Sequence, residues 1–205
     1  MKIHIGLAAK PGGGKGTFPE MFRNVAFKDR QNFSMAINTF SDILRKTYEW
    51  YGHNTPSTKD LQDLSDLIYA RRPEGLSIAM RNRLTDKNNL NLFADIQIVD
   101  GVRRASDEEM IRSLPNSFLI YVFADPQKRF ERVKLRGQRP GEREMTWEQF
   151  TQLDNRPTET LVDDIGSRAD FRIDNNGTIE EYETQVKKIY KEILKPILIK
   201  NEIPS

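Results

Sequence analysis

The stretch "GLAAKPGGGKGTF", residues 6–18, decides the fold of this chain. It overlaps the apolar stretch "KIHIGLA" (2–8), which is typical of a buried β-strand, and leads into "KGTFPEMFRNVAF" (15–27), which is typical of a helix. Glycines between a strand and a helix let backbone N–H groups approach one anion, and the helix N-terminus adds partial positive charge. The stretch therefore predicts a loop that binds the phosphate chain of a nucleotide.

This loop departs from the strict phosphate-loop pattern G-x-x-x-x-G-K-[ST]. Ala9 stands at the first glycine, and Gly16 separates Lys15 from the hydroxyl of Thr17. We expect Lys15 to reach the outer phosphates and Thr17 to face magnesium. The predicted phosphate-binding residues are Pro11, Gly12, Gly13, Gly14, Lys15, Gly16 and Thr17.

Composition narrows the class of protein. The chain has 205 residues, which suits one domain (1–205), and its 32 basic and 30 acidic residues give a net charge of only +2. That balance argues against a dedicated nucleic-acid-binding protein. The absence of cysteine excludes a disulfide framework, a thiolate zinc site and a cysteine nucleophile. No apolar run approaches the roughly 18 residues of a membrane span, so we expect a cytoplasmic monomer or small homo-oligomer without a membrane or nucleic-acid partner.

Apolar runs and helical segments alternate along the rest of the chain. Runs without strict polar alternation predict strands that are covered on both faces, and we therefore expect an α/β fold with a three-layer, doubly wound parallel β-sheet of about five strands. The further predicted strands are 33–39, 93–100, 117–125 and 169–174, and the further predicted helices are 40–52, 58–72, 75–84, 126–136 and about 178–195. The polar stretch 137–158 is predicted to leave the sheet.

Phosphoryl transfer also needs a magnesium anchor and mobile positive charge. Asp100 ends an apolar strand, where a carboxylate beside the glycine loop can hold magnesium. Arg129, Arg132 and Arg136 follow i, i+3, i+7 spacing, which places them on one face of a helix just before the polar stretch 137–158.

Four motifs, in order along the chain, resemble those of the adenylate kinase-like nucleoside monophosphate kinase family of P-loop kinases. "AKPGGGKGT" (9–17) is similar to G-x-P-G-x-G-K-G-T, and "TFSDILRKT" (39–47) resembles S-T-G-D-M-L-R. "DGVRR" (100–104) resembles D-G-F-P-R, and "ERVKLR" (131–136) resembles E-R-I-x-G-R. The resemblance is weakest over 48–95, which shapes acceptor choice in this family.

The resemblance implies roles for particular residues. Arg45 and Arg104 would grip the acceptor phosphate, with Arg103, which replaces the motif's proline, as an alternative. Arg132 would stack on adenine, Arg136 would touch phosphates, and residues 137–158 would form a short lid over ATP. The implied catalytic set is Lys15, Asp42, Arg104 and Arg136; the implied adenine-contacting residues are Asn176 and Gly177; and the implied substrate-binding residues are Asp42, Arg45, Arg103, Arg104, Arg139, Arg143 and Arg156.

The implied function is transfer of the γ-phosphate of MgATP to a nucleoside or deoxynucleoside monophosphate, with residues 40–90 as the acceptor-binding helical region. "VFADPQKRFERV" (122–133) and "ADFRIDNNGT" (169–178) also resemble dephospho-CoA kinase. That reaction phosphorylates a ribose hydroxyl and needs a carboxylate base, for which Asp42 is available. A third interpretation is an ATP-binding switch with little turnover, since Ala9 and Gly16 suit a loop that binds but aligns poorly.

Overall fold

The computed structural model describes residues 2–29, 33–137 and 140–202. Five strands form one parallel sheet in the order β2-β3-β1-β4-β5. They are β1 (Ile3–Ala8), β2 (Met35–Thr39), β3 (Ile96–Asp100), β4 (Ser117–Phe123) and β5 (Phe171–Asp174). The order reverses at β1, the switch point of a doubly wound sheet, where ligands bind beyond the carboxyl ends of the strands.

Helices cover both faces of the sheet. They are α1 (Thr17–Lys28), α2 (Phe40–Trp50), α3 (Thr58–Arg71), α4 (Gly75–Thr85), α5 (Ala105–Arg112), α6 (Pro126–Arg136), α7 (Trp147–Asp154), α8 (Pro157–Ser167) and α9 (Ile179–Glu202), with a 3-10 turn at Leu90–Phe93. One core joins the sheet to α1 and α9 around Phe22 and Tyr182, and the other joins it to α2–α5 and α8 around Met80 and Ile165. The predicted three-layer α/β fold is confirmed.

Several element boundaries differ from the sequence-based expectation. Helix α1 begins at Thr17, because residues 11–16 form the turns of the glycine loop. Three helices were not predicted: the short α5, which a capping carboxylate from Asp107 stabilises, α7, and α8, which begins with Pro157 at its first position. Within the stretch 137–158, α7 is started by a capping box between Thr146 and Gln149.

Candidate active site

The glycine loop between β1 and α1 requires glycine at two positions. Gly12 and Gly14 have φ of +77° and +94°, a region that favours glycine. A side chain at Gly12 would overlap with the backbone carbonyl of Arg129, and one at Gly14 would overlap with the amide of Asn175. The close approach of these neighbours therefore fixes the conformation of the loop.

The loop also leaves hydrogen-bond donors available at the start of α1. Gly16 is the N-cap residue and, because it has no side chain, it does not cap the helix N-terminus. Within the described ranges, the backbone N–H groups of Gly14, Lys15 and Gly16 donate to no protein acceptor. Unsatisfied N–H groups at a helix N-terminus fit an anion such as phosphate.

Lys15 lies beside the predicted magnesium anchor. Its Nζ is 2.6 Å from Oδ1 of Asp100, which ends β3 and pairs in register with Leu7 of β1. Thr17, the first residue of α1, follows in the same turn. A carboxylate and a hydroxyl are oxygen ligands of the kind that magnesium prefers, so Asp100 and Thr17 fit such an ion.

A narrow cleft with a cavity volume of about 80 Å³ extends from Lys15 and Asp100. One wall is apolar and comes from α2, α3 and α4, with Phe40, Leu44, Leu61 and Leu76. The other lining residues are mostly polar, and they are Ser41, Thr58, Gln62, Ser65, Gly101, Arg103, Arg104, Asp107 and Thr158. A cleft with an apolar wall and a few converging polar groups is typical of a small-molecule site.

The two arginines of this cleft are held by acidic side chains. Arg104 is 4% exposed, donates to Asp66 at 2.7 Å and lies 4.0 Å from the centre of the Tyr69 ring. Arg103 donates to Glu159, which is completely buried. Both guanidinium groups therefore lie at the cleft before any ligand arrives.

Asp107 fixes the backbone that carries both arginines. Its carboxylate accepts hydrogen bonds from the N–H groups of Arg103 and Arg104, each at 3.1 Å, and from the hydroxyl of Ser77 at 2.8 Å. Burial raises the pKa of Asp107 above its ordinary value, an effect that these bonds and Arg104 oppose. Sequence reasoning missed this residue, although its place in the first turn of α5 is a recognisable capping signal.

Glu159 and Gln62 form a second polar pair that the sequence did not indicate. Gln62 Nε2 donates to Glu159 Oε1 at 3.0 Å. Among the described residues, Glu159 Oε2 and Gln62 Oε1 have no hydrogen-bond partner. Glu159 lies in the first turn of α8, where the N-terminal end of the helix carries partial positive charge.

Asp42 and Arg45, the other predicted acceptor residues, bind each other. Arg45 donates to Asp42 Oδ1 at 3.0 Å, and Arg83 lies 3.8 Å from Asp42 Oδ2. Neither Asp42 nor Arg45 lines the cleft, whereas the neighbouring Ser41 does.

The three arginines of α6 have different surroundings. Arg129 is 4% exposed and donates to Asp154 of α7 at 2.7 Å, so it connects α6 to the lid stretch rather than supplying mobile charge. Arg132 donates to the backbone carbonyl of Asn175 at 2.8 Å. Arg136 donates to Glu142, a buried residue of the lid stretch, at 2.6 Å.

The remaining lid arginines are dispersed. Arg156 lies 2.9 Å from Asp63 of α3, and exposed Arg143 packs its side chain against Gly137. Arg139 lies outside the described residues.

The loop after β5 contacts the glycine loop through a residue that sequence reasoning missed. Asn175 Nδ2 donates to the carbonyl of Gly13 at 2.9 Å. The predicted neighbour Asn176 accepts a hydrogen bond from the backbone N–H of Asp125 at 2.8 Å, and Gly177 is exposed. The Asn-Asn-Gly sequence after a buried strand predicted a turn, but not this contact.

Comparison with known proteins identifies related sequences and a shared fold. No protein-family model matches the chain. The chain is 28% identical over 188 residues to a UPF0200 protein of Hyperthermus butylicus, covering 92% of this chain and 93% of that protein. It is 27% identical over 196 residues to a UPF0200 protein of Staphylothermus marinus, covering 95% of each.

Among solved structures, shikimate kinase from Bacteroides thetaiotaomicron superimposes with a TM-score of 0.57 at 15% identity, covering 93% of this chain and 97% of that one. TT1252 from Thermus thermophilus gives the same TM-score of 0.57 at 17% identity, covering 94% and 98%. The chain therefore has the P-loop kinase fold.

None of its described helices is long and apolar enough to cross a membrane.

Proposed function

We propose that this protein is an ATP-dependent phosphotransferase whose acceptor is a nucleoside or deoxynucleoside monophosphate. One observation carries the proposal: Lys15 of the glycine loop lines the same cleft as Arg103 and Arg104. A donor phosphate chain on the loop and an acceptor phosphate at the arginines would meet in this cleft. Positioning and charge neutralisation are the main contributions that a protein makes to phosphoryl transfer.

The donor half of the site binds ATP in this proposal. The N–H groups of Gly14, Lys15 and Gly16 bind phosphate oxygens, and Lys15 leaves Asp100 for the outer phosphates. Magnesium bound through Asp100 and Thr17 would neutralise charge on the phosphates. The adenine lies between Arg132 and the turn that carries Asn176 and Gly177.

The stretch 137–158 acts as a lid. Its closure would exclude water and bring arginine charge towards the transferred group. Arg136 stands at the root of this lid and is bound to its buried Glu142, which supports a direct link between lid position and catalytic charge. Arg143 and Arg156, together with Arg139, are the further basic residues that we assign to substrate binding.

The carboxylates of the cleft favour a phosphate acceptor over a hydroxyl acceptor. A hydroxyl needs a carboxylate within reach as general base, whereas an ionised phosphate oxygen does not. Asp100 is assigned to magnesium once Lys15 leaves it, and Asp107 already accepts three hydrogen bonds. Asp42 accepts from Arg45 and does not line the cleft.

The test is an ADP-release assay with magnesium and ATP against the ribo- and deoxynucleoside monophosphates, dephospho-CoA, shikimate and a control without acceptor. We expect turnover with a monophosphate well above ATP hydrolysis alone. Turnover only with dephospho-CoA or shikimate would contradict the proposed acceptor and assign the reaction to a hydroxyl. Silence across the panel, with ATP bound, would contradict the phosphotransferase and favour a nucleotide-binding switch.

A further inference from the structure

Two oxygen atoms buried beside the cleft lack hydrogen-bond donors. Glu159 is 0% exposed and Gln62, a residue of the cleft wall, is 5% exposed. Glu159 Oε2 and Gln62 Oε1 have no partner in the part of the chain that the structure describes. Buried polar atoms are nearly always hydrogen-bonded in native proteins, so this pair fits a ligand that supplies donors.

The present partner of Glu159 indicates the shape of those donors. Arg103 donates from one nitrogen of its planar guanidinium to Glu159 Oε1. Guanine contains the same N–C–N fragment, with the ring N1–H and the exocyclic N2–H on one edge. Adenine has no such edge, and hypoxanthine keeps N1–H but lacks the exocyclic amine.

The rest of the cleft fits a nucleotide of this kind. Phe40, Leu44 and Leu61 provide an apolar wall for a planar base. Arg103 and Arg104 also line the cleft. They suit a phosphate, which can bind guanidinium groups in the same bidentate way as a carboxylate.

We propose that Gln62 and Glu159 select guanine, so that the acceptor of the phosphotransferase is GMP or dGMP. This inference rests on the proposed function and names its substrate. Arg103 moves from Glu159 Oε1 to the acceptor phosphate, and the two unpartnered oxygens, Glu159 Oε2 and Gln62 Oε1, accept N1–H and N2–H of the base. The ion pair of the unliganded protein is thus exchanged for two ligand contacts.

A buried acceptor atom left without a donor is costly, which gives a measurable selectivity. We expect GMP and dGMP to bind with similar affinity, and IMP to bind about 10- to 100-fold more weakly because it lacks the N2 amine. AMP, which lacks both donors, binds more weakly still.

The test is isothermal titration of the full-length protein with GMP, dGMP, IMP and AMP, alone and with magnesium and a non-hydrolysable ATP analogue. Glu159→Gln should bring the ratio of GMP to IMP affinity close to one, whereas Glu180→Gln at an exposed position of α9 should leave it unchanged. If Glu159→Gln fails to fold, Gln62→Met removes the second acceptor oxygen and should lower the same ratio.

Equal affinity for GMP and IMP would overturn the inference. Tighter binding of both GMP and IMP than of dGMP would also overturn it, because that result would assign the two oxygens to ribose hydroxyls. Neither result contradicts the proposed phosphotransferase activity. That proposal is contradicted only if no monophosphate supports ADP release. The binding ratio and the turnover assay therefore separate the two proposals.

Discussion

Lys15 and Asp100 form an ion pair of 2.6 Å that joins the glycine loop to the end of β3. The two residues are 85 positions apart in the chain, yet adjacent parallel strands bring the loop after β1 and the end of β3 to one edge of the sheet. The pair neutralises a lysine that is 26% exposed while its proposed phosphate partners are absent.

Replacing Lys15 by alanine is expected to lower the rate of phosphate transfer by a factor of about 100 or more, because charge at the outer phosphates is lost. The fold should be retained, since Lys15 is outside both apolar cores. Steady-state kinetics and thermal unfolding measure the two effects. Lys28→Ala, which removes an exposed lysine of α1, is the control; wild-type turnover of Lys15→Ala would contradict the role of the loop.

Gly14→Ala should weaken ATP binding strongly, because a side chain at φ +94° is strained and overlaps with the amide of Asn175. Isothermal titration with ATP measures this effect. Gly52→Ala also introduces a side chain at positive φ, +78°, but meets no neighbouring atom, and it should leave ATP affinity unchanged. Equal ATP affinity of Gly14→Ala and the wild type would refute the described loop geometry.

Arg136→Ala is expected to lower kcat by tens to thousands of fold, as for loss of a preorganised charge at the transferred group. Lys134→Ala removes an exposed charge from the same helix and should have little effect. The comparison is made under saturating ATP and acceptor, with the melting temperature of each variant recorded. An unchanged kcat for Arg136→Ala would show that the lid does not deliver this charge.

The acceptor arginines can be ranked by substitution. Arg103 lines the cleft and Arg45 does not, so Arg103→Gln should raise the KM for the acceptor more than Arg45→Gln does, by about tenfold or more for the loss of a charged hydrogen bond. Both variants should leave the KM for ATP nearly unchanged. A parallel rise in both KM values would place the altered residue outside the acceptor site.

Stability should depend on His4 at mildly acidic pH. Burial lowers the pKa of His4 from its ordinary value of 6.5, and its Nδ1 lies 2.8 Å from the carbonyl of Pro115. His4 is therefore protonated at a higher pH in the unfolded chain than in the folded chain. Its contribution to stability is present above pH 6.5 and is lost as the pH falls through the folded pKa.

Urea unfolding at pH 5 and pH 7.5 measures this effect. The wild type should lose more unfolding free energy on acidification than His4→Asn, which keeps a donor but does not titrate. Identical losses would show that His4 does not contribute to the pH dependence.

Sequence reasoning predicted the features that local patterns determine. The glycine loop, the strand that ends at Asp100 and the alternation of strands and helices are all readable within short windows, and parallel strands with carboxyl ends at one edge imply the meeting of Lys15 and Asp100. The contact of Gln62 with Glu159 was not accessible, because it joins helices 97 residues apart. A glutamine or glutamate in a helix usually faces solvent, whereas these two side chains are buried and hydrogen-bonded to each other between α3 and α8.

The amide of Asn175 has a consequence for how the two substrates assemble. The side-chain amide donates to the carbonyl of Gly13, and the backbone carbonyl of Asn175 accepts from Arg132. The phosphate side and the adenine side of the proposed ATP site are therefore connected without ligand. Such preorganisation keeps the entropy loss on nucleotide binding small. The acceptor side differs, because Arg103 must exchange Glu159 for a phosphate. We expect this exchange to limit the rate at which the ternary complex forms.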